Sequence, residues 1–401
     1  MRAFGKLTPF DEALKKSLEV SIPIERTEKV KLEDALGRVH AEELISALNV
    51  PDYTRAAMDG YALMSDDTSS ASVDVTVSLK MIGEIFAGDS GKNVLNRGEC
   101  FKIATGGMLP ERADAVIPFE DIVERPDSIV LETPVPEGSC LGLLGEDIKV
   151  GDVILRSGTL LHSAHIGAAA SVGIPELKCY VKPVVAIAVS GDEIVEVGGE
   201  LGVGQVYDTN SYTLAAVISK AGGISVKLPI VRDSVENIEK AIQSSDADII
   251  TFTGGSSVGE RDLIVDAIKN LGEVIYHGIT AKPGKPGLLG KVGDSLVVGM
   301  PGYPTSCLTI ANVLLAPMIR KISRNSSADY NSEIEVELGE TITAKSESHQ
   351  IVTVKIENGK ARPVFKGSSV ITSMSNADGY VELPHGVSEL NAGEMVRVTL
   401  L

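Results

Sequence analysis

The residues of this chain best suited to chemistry are carboxylates, and they recur directly after short apolar runs. Asp192 and Glu193 follow Val184 to Val189, Asp233 follows a run ending at Val231, and Asp262 closes Thr253-Gly254-Gly255-Ser256-Ser257-Val258-Gly259-Glu260-Arg261-Asp262. Carboxylates crowded at one edge repel one another unless they are solvated, protonated or metal-bound, and hard oxygen ligands of this kind suit Mg2+. Each has an ordinary alternative: Asp208, before Thr209-Asn210-Ser211, fits a turn or cap, and Asp233, before Ser234, can help start a helix. The glycine-rich loop from Gly254 to Gly259 separates an apolar run from a helical pattern, so its backbone N–H groups can approach an anion closely; a tight turn is the plainer account. Two further loops belong with it. Lys282-Pro283-Gly284-Lys285-Pro286 sets two lysines in a proline-stiffened stretch, and Met300-Pro301-Gly302-Tyr303-Pro304-Thr305-Ser306 again leads into a helix. Proline removes conformational freedom in advance, which favours pre-positioned lysines over ones that merely solvate a surface.

Other patterns fail. Gly255-Ser256-Ser257-Val258-Gly259 fits the G-x-S-x-G nucleophile turn, but of the later histidines His277 is too near in sequence, and His349 and His385 fall in a separate β segment. No G-x-x-x-x-G-K-[ST] loop occurs. His162 and His165 stand i, i+3 at a helix start without an accompanying cysteine or HExxH pattern, and read as surface or core histidines. Cys100, Cys140, Cys179 and Cys307 are too widely spaced for a zinc pair or a disulfide framework, and read as buried small hydrophobes.

The elements that must position these residues change character along the chain. Helical patterns cover Pro9 to Leu18 and Lys31 to Gly37. From 46 to 140 short β-branched runs alternate with glycine and proline: Val73 to Val77, Cys100 to Ala104, Asp114 to Pro118 and Ile129 to Thr133. Residues 141–178 hold Gly145-Glu146-Asp147-Ile148 and a helix from Ser163 to Ser171; if they rejoin residues 1–45, the β-rich segment between is an insertion. From 179 to 326 strands at Val184–Val189, Ser225–Val231, Asp248–Thr253 and Ser295–Gly299 alternate with helices at Ser211–Ala221, Ser234–Ser244, Arg261–Leu271 and Ser306–Lys321. That alternation predicts a doubly wound, mostly parallel sheet with ligands outside the carboxyl ends of its strands. Beyond 327 strict alternation at Ile334–Leu338 and Val352–Ile356, with Asn358-Gly359 as a hairpin turn, predicts a small β domain.

With 401 residues, the chain has room for several domains at roughly 100 to 200 residues each. Its beginning lacks the apolar core of a signal peptide and no stretch is long and apolar enough to span a membrane, so the expected location is cytoplasmic. A net charge of −18 repels nucleic acid and anionic lipid. If the ligand is a small anion, lysines, backbone N–H groups or a metal must supply the attraction locally.

Taken together the motifs resemble the MoeA and gephyrin E-domain family of molybdopterin molybdenumtransferases over essentially the whole chain. They are Ala57-Met58-Asp59-Gly60-Tyr61-Ala62, Ile103-Ala104-Thr105-Gly106-Gly107, Gly145-Glu146-Asp147-Ile148, Ser190-Gly191-Asp192-Glu193, Tyr207-Asp208-Thr209-Asn210, the Gly-Gly-Ser loop with Asp262, Lys282 to Pro286, and Pro301-Gly302-Tyr303-Pro304. The resemblance implies an α/β multi-domain protein. Its parts would be an elongated α+β dimerisation domain (1–45 and 141–178), an inserted β-rich domain (46–140), a MogA-like domain (179–326) and a carboxy-terminal β-barrel domain (327–401). It further implies a homodimer with a shared active site, in which Asp59 and Thr105 act in trans. Glu193, Asp233 and Asp262 would be metal and catalytic carboxylates; Lys282 and Lys285 would bind phosphate or molybdate. Gly254, Gly255, Ser256, Pro301 and Pro304 would line the substrate site, with Asp147 and Ser368 in support. The implied reaction is Mg2+-dependent insertion of molybdate into adenylylated molybdopterin with release of AMP, the substrate arriving from a MogA- or MoaB-type adenylyltransferase. Two alternatives keep the fold: a non-catalytic molybdopterin-binding scaffold, and a MogA-type adenylyltransferase. The sequence departs from the family pattern at Tyr303, commonly Asn; at Gly278, near a further Lys in some members; and at Ser256, commonly Val.

Overall fold

Val184–Val189 has water on neither face, and the two faces lead to two separate cores. Val185 and Ile187 pack with Leu214, Ile218, Ile310 and Ile319, while Ala186 and Ala188 pack with Ile238, Ile250, Phe252 and Ile264. Because successive side chains point to opposite faces, one strand can anchor helices on both sides. In the computed structural model, which describes residues 7–89, 92–254, 263–325, 333–344 and 348–401, it lies inside a six-stranded sheet. The order is Ile224–Lys227, Val184–Val189, Ile249–Thr253, Ser295–Met300, Leu288–Val292, Glu273–His277. The first four run parallel and the last two are added antiparallel. Helices Asn210–Lys220, Pro304–Ile310 and Ala316–Ile322 cover one face, and Val235–Gln243 and Leu263–Leu271 the other. The amino-terminal helix Phe10–Val20 buries Phe10 and Ala13 in the first of these cores.

Between residues 27 and 180 the chain leaves this unit and returns along itself. Thr27–Lys31 pairs antiparallel with Glu176–Tyr180, Leu44–Ile45 with Val153–Leu155, and Arg55–Ala56 with Leu141–Gly142. These short ladders form an arm. It carries a six-stranded sheet ordered Ala115–Pro118, Gly60–Leu63, Glu99–Ile103, Val77–Ile85, Ser128–Leu131, Val123–Arg125. At the other end of the chain, Glu333–Leu338, Met395–Leu400, Gly379–Leu383, His349–Glu357 and Lys360–Pro363 close on themselves as a five-stranded barrel. Asn358 and Gly359, both at positive φ, make its two-residue hairpin turn between Glu357 and Lys360.

Several expected elements differ. Lys31 to Gly37 is not a helix: Lys31 is committed to its partner Glu176, Leu32 donates to the Pro175 carbonyl, and only one 3-10 turn, Leu32–Asp34, remains. Val73 to Val77 is a turn until Val77, because the Ser72 hydroxyl and backbone bond back to Val75. The Ser225–Val231 strand ends at Lys227, and Val231 keeps only a bridge to Ser190. The helix expected from Ser306 to Lys321 carries a π turn, Ala311–Leu315, in its middle. Cys100, Cys179 and Cys307 are buried, whereas Cys140 is half-buried beside Met58.

His162 and His165 proved to be a helix cap. Both rings turn Nδ1 to backbone: His162 Nδ1 accepts from the Ala164 N–H at 3.2 Å and His165 Nδ1 accepts from the His162 N–H at 3.4 Å, with ring centroids 3.7 Å apart. A proton on either Nδ1 abolishes its bond and sets positive charge at a helix amino terminus. Burial, then the neighbouring His162, holds His165 below the usual histidine value of 6.5. A depressed histidine favours the neutral form in the folded state, so its stabilisation is complete above pH 6.5 and is lost as pH falls through the depressed value. The melting temperature of the wild type should therefore fall more between pH 7 and pH 5 than that of His165→Gln; parallel curves would refute the cap.

Candidate active site

At the carboxyl edge of the sheet, Val189 is in register with Thr253 and Thr253 with Met300, so three loops leave from one line. The Ser190 N–H donates to the Thr253 carbonyl at 2.8 Å. The next residue, Gly254, has a φ of 87° and passes so near Ser190 that a Cβ would stand 2.0 Å from its carbonyl oxygen. Only glycine fits there. Gly302, leaving the neighbouring strand, faces Gly254, and its carbonyl accepts from Asn210 Nδ2 at 2.9 Å. Helix Asn210–Lys220 is thereby tied by its first residue to the same edge.

The acids gather around Ser190 and Gly191. The Ser190 hydroxyl donates to Asp233 Oδ1. Glu193 folds back over Gly191, with a carboxylate oxygen 2.7 Å from where a Cβ would stand. Nearby on the same loops and helix start, Asn210 Oδ1 and Thr253 Oγ1 are buried and lack a hydrogen-bond partner among the described residues. Such hard oxygens fit Mg2+ in chemical type. Among the described residues no group of three or more His, Cys, Asp or Glu is placed to hold a metal, and Asp262, Gly255 and Ser256 lie outside those residues.

Asp208 plays both of its ordinary parts and one more. Its Oδ1 accepts from the Ser211 N–H at 3.0 Å, capping the helix, while its fully buried side chain lies 2.8 Å from Lys227 Nζ. Burial pushes this carboxyl up, but Lys227 and Ser211 outweigh it and hold it below the usual range. Lys227 also reaches Glu196 at 2.6 Å and lies over the Tyr212 ring at 5.1 Å. Sequence reading gave no role to Lys227 or Asn210. Lys227 meets Asp208 only through strand pairing, which no local pattern reveals.

Pro301 is buried, and Pro304 opens helix Pro304–Ile310. The barrel's 368–370 segment docks on that helix start: the Thr305 N–H donates to the Ser368 carbonyl at 3.1 Å and Thr305 Oγ1 to the Val370 carbonyl at 2.7 Å. Tyr303, at the helix cap, is 64% exposed and so projects from the edge rather than filling it. Lys282 and Lys285 are exposed while Pro283 and Gly284 between them are buried. Gly284 permits this, since a Cβ would stand 2.2 Å from Ile310 Cδ1.

Asp59 and Thr105 form a separate group on the inserted sheet. Asp59 Oδ1 accepts from the Thr105 N–H at 2.7 Å and from its hydroxyl at 2.8 Å, and these bonds hold the exposed carboxyl below the usual range. Asp147 is exposed on the arm, its N–H bonded to the Val50 carbonyl at 3.0 Å.

A doubly wound α/β unit with acids and a lysine loop at its carboxyl edge, flanked by an arm-borne sheet and a small barrel, defines the class: a multi-domain α/β protein whose loops gather at the edge where such sheets bind ligands. Comparison with known proteins makes this specific. Residues 8–173 match the MoeA N-terminal region (domain I and II), 186–321 the family described as Probable molybdopterin binding domain, and 335–401 the MoeA C-terminal region (domain IV). A molybdopterin molybdenumtransferase of Haemophilus influenzae is 36% identical over 315 residues, 78% of this chain and 77% of that protein. A molybdopterin biosynthesis protein of Methanocaldococcus jannaschii is 31% identical over 416 residues, covering 100% of both. The crystal structure of a molybdopterin biosynthesis MoeA protein from Pyrococcus horikoshii superposes with a TM-score of 0.84 at 38% identity, covering 98% of this chain and 99% of that one. The chain belongs to the MoeA family of molybdenum cofactor biosynthesis enzymes.

Removing Lys227 leaves Asp208 buried without its cation. Lys227 is itself 31% exposed, so water screens part of the pair. Lys227→Met should destabilise the protein by about 2 kcal/mol in urea unfolding at pH 7, less than a fully buried pair would cost. As Asp208 is held low, the penalty should shrink as pH falls through its depressed value. An unchanged midpoint would remove Lys227 from that role.

Proposed function

We propose that this chain is a molybdopterin molybdenumtransferase that inserts molybdate into adenylylated molybdopterin with Mg2+ and releases AMP. The observation that carries this reading is the conjunction at one sheet edge: Glu193 and Asp233 around Ser190-Gly191, beside the close-passing Gly254 and Gly302, in a family whose curated members carry that activity by name. In this reading the Lys282 and Lys285 ammonium groups attract the substrate's phosphates and steady charge that develops on them. Gly254 and Gly302 let backbone approach the ligand. Glu193, Asp233 and Asp262 would hold the Mg2+, which when bound supplies Lewis-acid polarisation of a phosphoryl oxygen. Attack at phosphorus by a water or molybdate oxygen forms one P–O bond as the anhydride P–O bond breaks, and AMP departs with the electron pair. Ser368, fixed at a helix start by its carbonyl bond to Thr305, closes the cleft from the barrel side.

Asp59 and Thr105 enter through a second copy of the chain. Their mutual hydrogen bonds leave Asp59 exposed at the end of the arm, a carboxylate held ionised with no partner cation of its own among the described residues. A homodimer that sets this group over the neighbouring subunit's sheet edge gives it one.

Asp262→Asn should abolish AMP release from adenylylated molybdopterin in the presence of molybdate and Mg2+ while leaving the dimer folded; full activity would take Asp262 out of the site. No AMP from the wild type would overturn the main reading, and active adenylylation of molybdopterin from ATP would put the adenylyltransferase in its place. Sharing of the site has its own test. Asp59→Asn and Asp262→Asn, each inactive alone, should regain roughly a quarter of wild-type activity when dissociated, mixed and reassociated, because half the dimers then carry one intact shared site. No recovery would show that both residues act within one subunit.

A further inference from the structure

We propose that Thr280 is a positioning residue for the lysine loop, holding Lys282 and Lys285 in register by bonding two distant parts of the chain at once, the amino-terminal segment and the barrel; this rests on the reading that those lysines bind phosphate. The Thr280 N–H donates to the Thr8 carbonyl at 2.9 Å. Its Oγ1 accepts from the Phe10 N–H at 3.1 Å, at the first turn of the amino-terminal helix. Its carbonyl accepts from the His349 N–H at 2.8 Å, at the start of a barrel strand. Its N–H and hydroxyl oxygen thus both engage the amino-terminal segment, and its carbonyl the barrel. Around it, the Thr8 N–H donates to the Gly278 carbonyl at 3.0 Å, and Ala281–Lys282 runs parallel to His349 and Gln350. The Phe10 ring stacks on His349 at 4.3 Å, and His349 Nε2 is 2.7 Å from Glu382.

The loop needs such an anchor. Pro283 and Pro286 carry no N–H, so the lysine segment cannot be fixed by a ladder of its own beyond Lys282. Within it, the Ile279 N–H donates to the Lys285 carbonyl and the Gly287 N–H to the Gly284 carbonyl, which close the loop but do not orient it against the sheet. Orientation comes from Thr280 on one side and from Gly284 seated against Ile310 on the other. The side chain matters separately from the backbone: the Phe10 N–H is among the first N–H groups of a helix, which lack intrahelical acceptors, and the hydroxyl oxygen supplies one.

The test is AMP affinity, measured by calorimetry on the full-length protein at low salt. Thr280→Val keeps the branched shape but loses the acceptor, and should weaken AMP binding about two- to tenfold, the scale of one net hydrogen bond. Thr280→Ser keeps the oxygen and should bind as wild type, and Lys282→Ala should bind more weakly than either. Wild-type affinity in Thr280→Val, with Lys282→Ala impaired, overturns the positioning role and leaves the lysine reading standing. Wild-type affinity in Lys282→Ala overturns the lysine reading and the inference with it. A measurement on the unaltered protein covers the case in which Thr280→Val folds poorly. AMP should slow hydrogen exchange at the Thr8, Phe10 and His349 amides as well as in 278–287, since coupling between two sites is reciprocal. Protection confined to 278–287 overturns the proposal.

Discussion

The α/β unit and the site on its edge follow from a strand buried between two helical layers. Val184–Val189 is buried on both sides, so helices must cover both faces, its neighbours must be reached by crossovers, and the loops that join them emerge at the same edge. The edge is then crowded. Parallel strands in close register bring Gly254 within contact of both Ser190 and Gly302, and the absence of a side chain at Gly254 is what lets the loops pass. A sheet edge lined by backbone rather than by side chains results from packing, before any functional residue is considered.

The charge of the chain sets the second constraint. A protein carrying −18 cannot draw an anion by its overall field, and the carboxyl edge itself bears acids. Its cations are rationed. Lys227 is spent on Asp208 and Glu196, a structural use that keeps one acid charged beneath the cleft. Lys282 and Lys285 stand exposed on a loop with buried backbone, where attraction acts over a few ångströms and the −18 field matters less.

The α/β unit was legible in the sequence because burial on two faces writes a continuous apolar run, and helices of amphipathic period follow it. Val184–Val189 and Ser163–Ser171 were read to the residue, and Asn358-Gly359 gave the barrel hairpin its turn. What was not legible depends on partners far away in the chain. Lys31 to Gly37 has helical composition, but the ladder with Glu176–Tyr180 claims its first residue. Ser72 bonds back to Val75 and delays a strand that the valines suggest. The antiparallel pair Glu273–His277 and Leu288–Val292, between which the lysine loop hangs, left no alternating signal because both strands are short and unevenly buried. That Glu193 and Asp233 come together at Ser190-Gly191 follows from their place after apolar runs that become neighbouring strands. Lys227 and Thr280 left no such sign, since each acquires its role only when other segments fold against it.

That contrast bears on how the cleft can be both rigid and built from loops. A loop with two prolines has few donors of its own, and its lysines would lose orientational freedom only upon meeting a ligand, at a cost to affinity. Here the ordering is done during folding. Thr8 and Phe10 from one end of the chain and His349 from the barrel bond to Gly278 and Thr280 just before the lysine strand, and the barrel's 368–370 segment bonds to the helix start at Thr305. The barrel therefore touches the cleft twice, at loops that leave neighbouring strands of the sheet. Flexing it away would release both together, so the carboxy-terminal domain acts as a brace on the α/β edge and its removal would loosen the site without touching a single carboxylate.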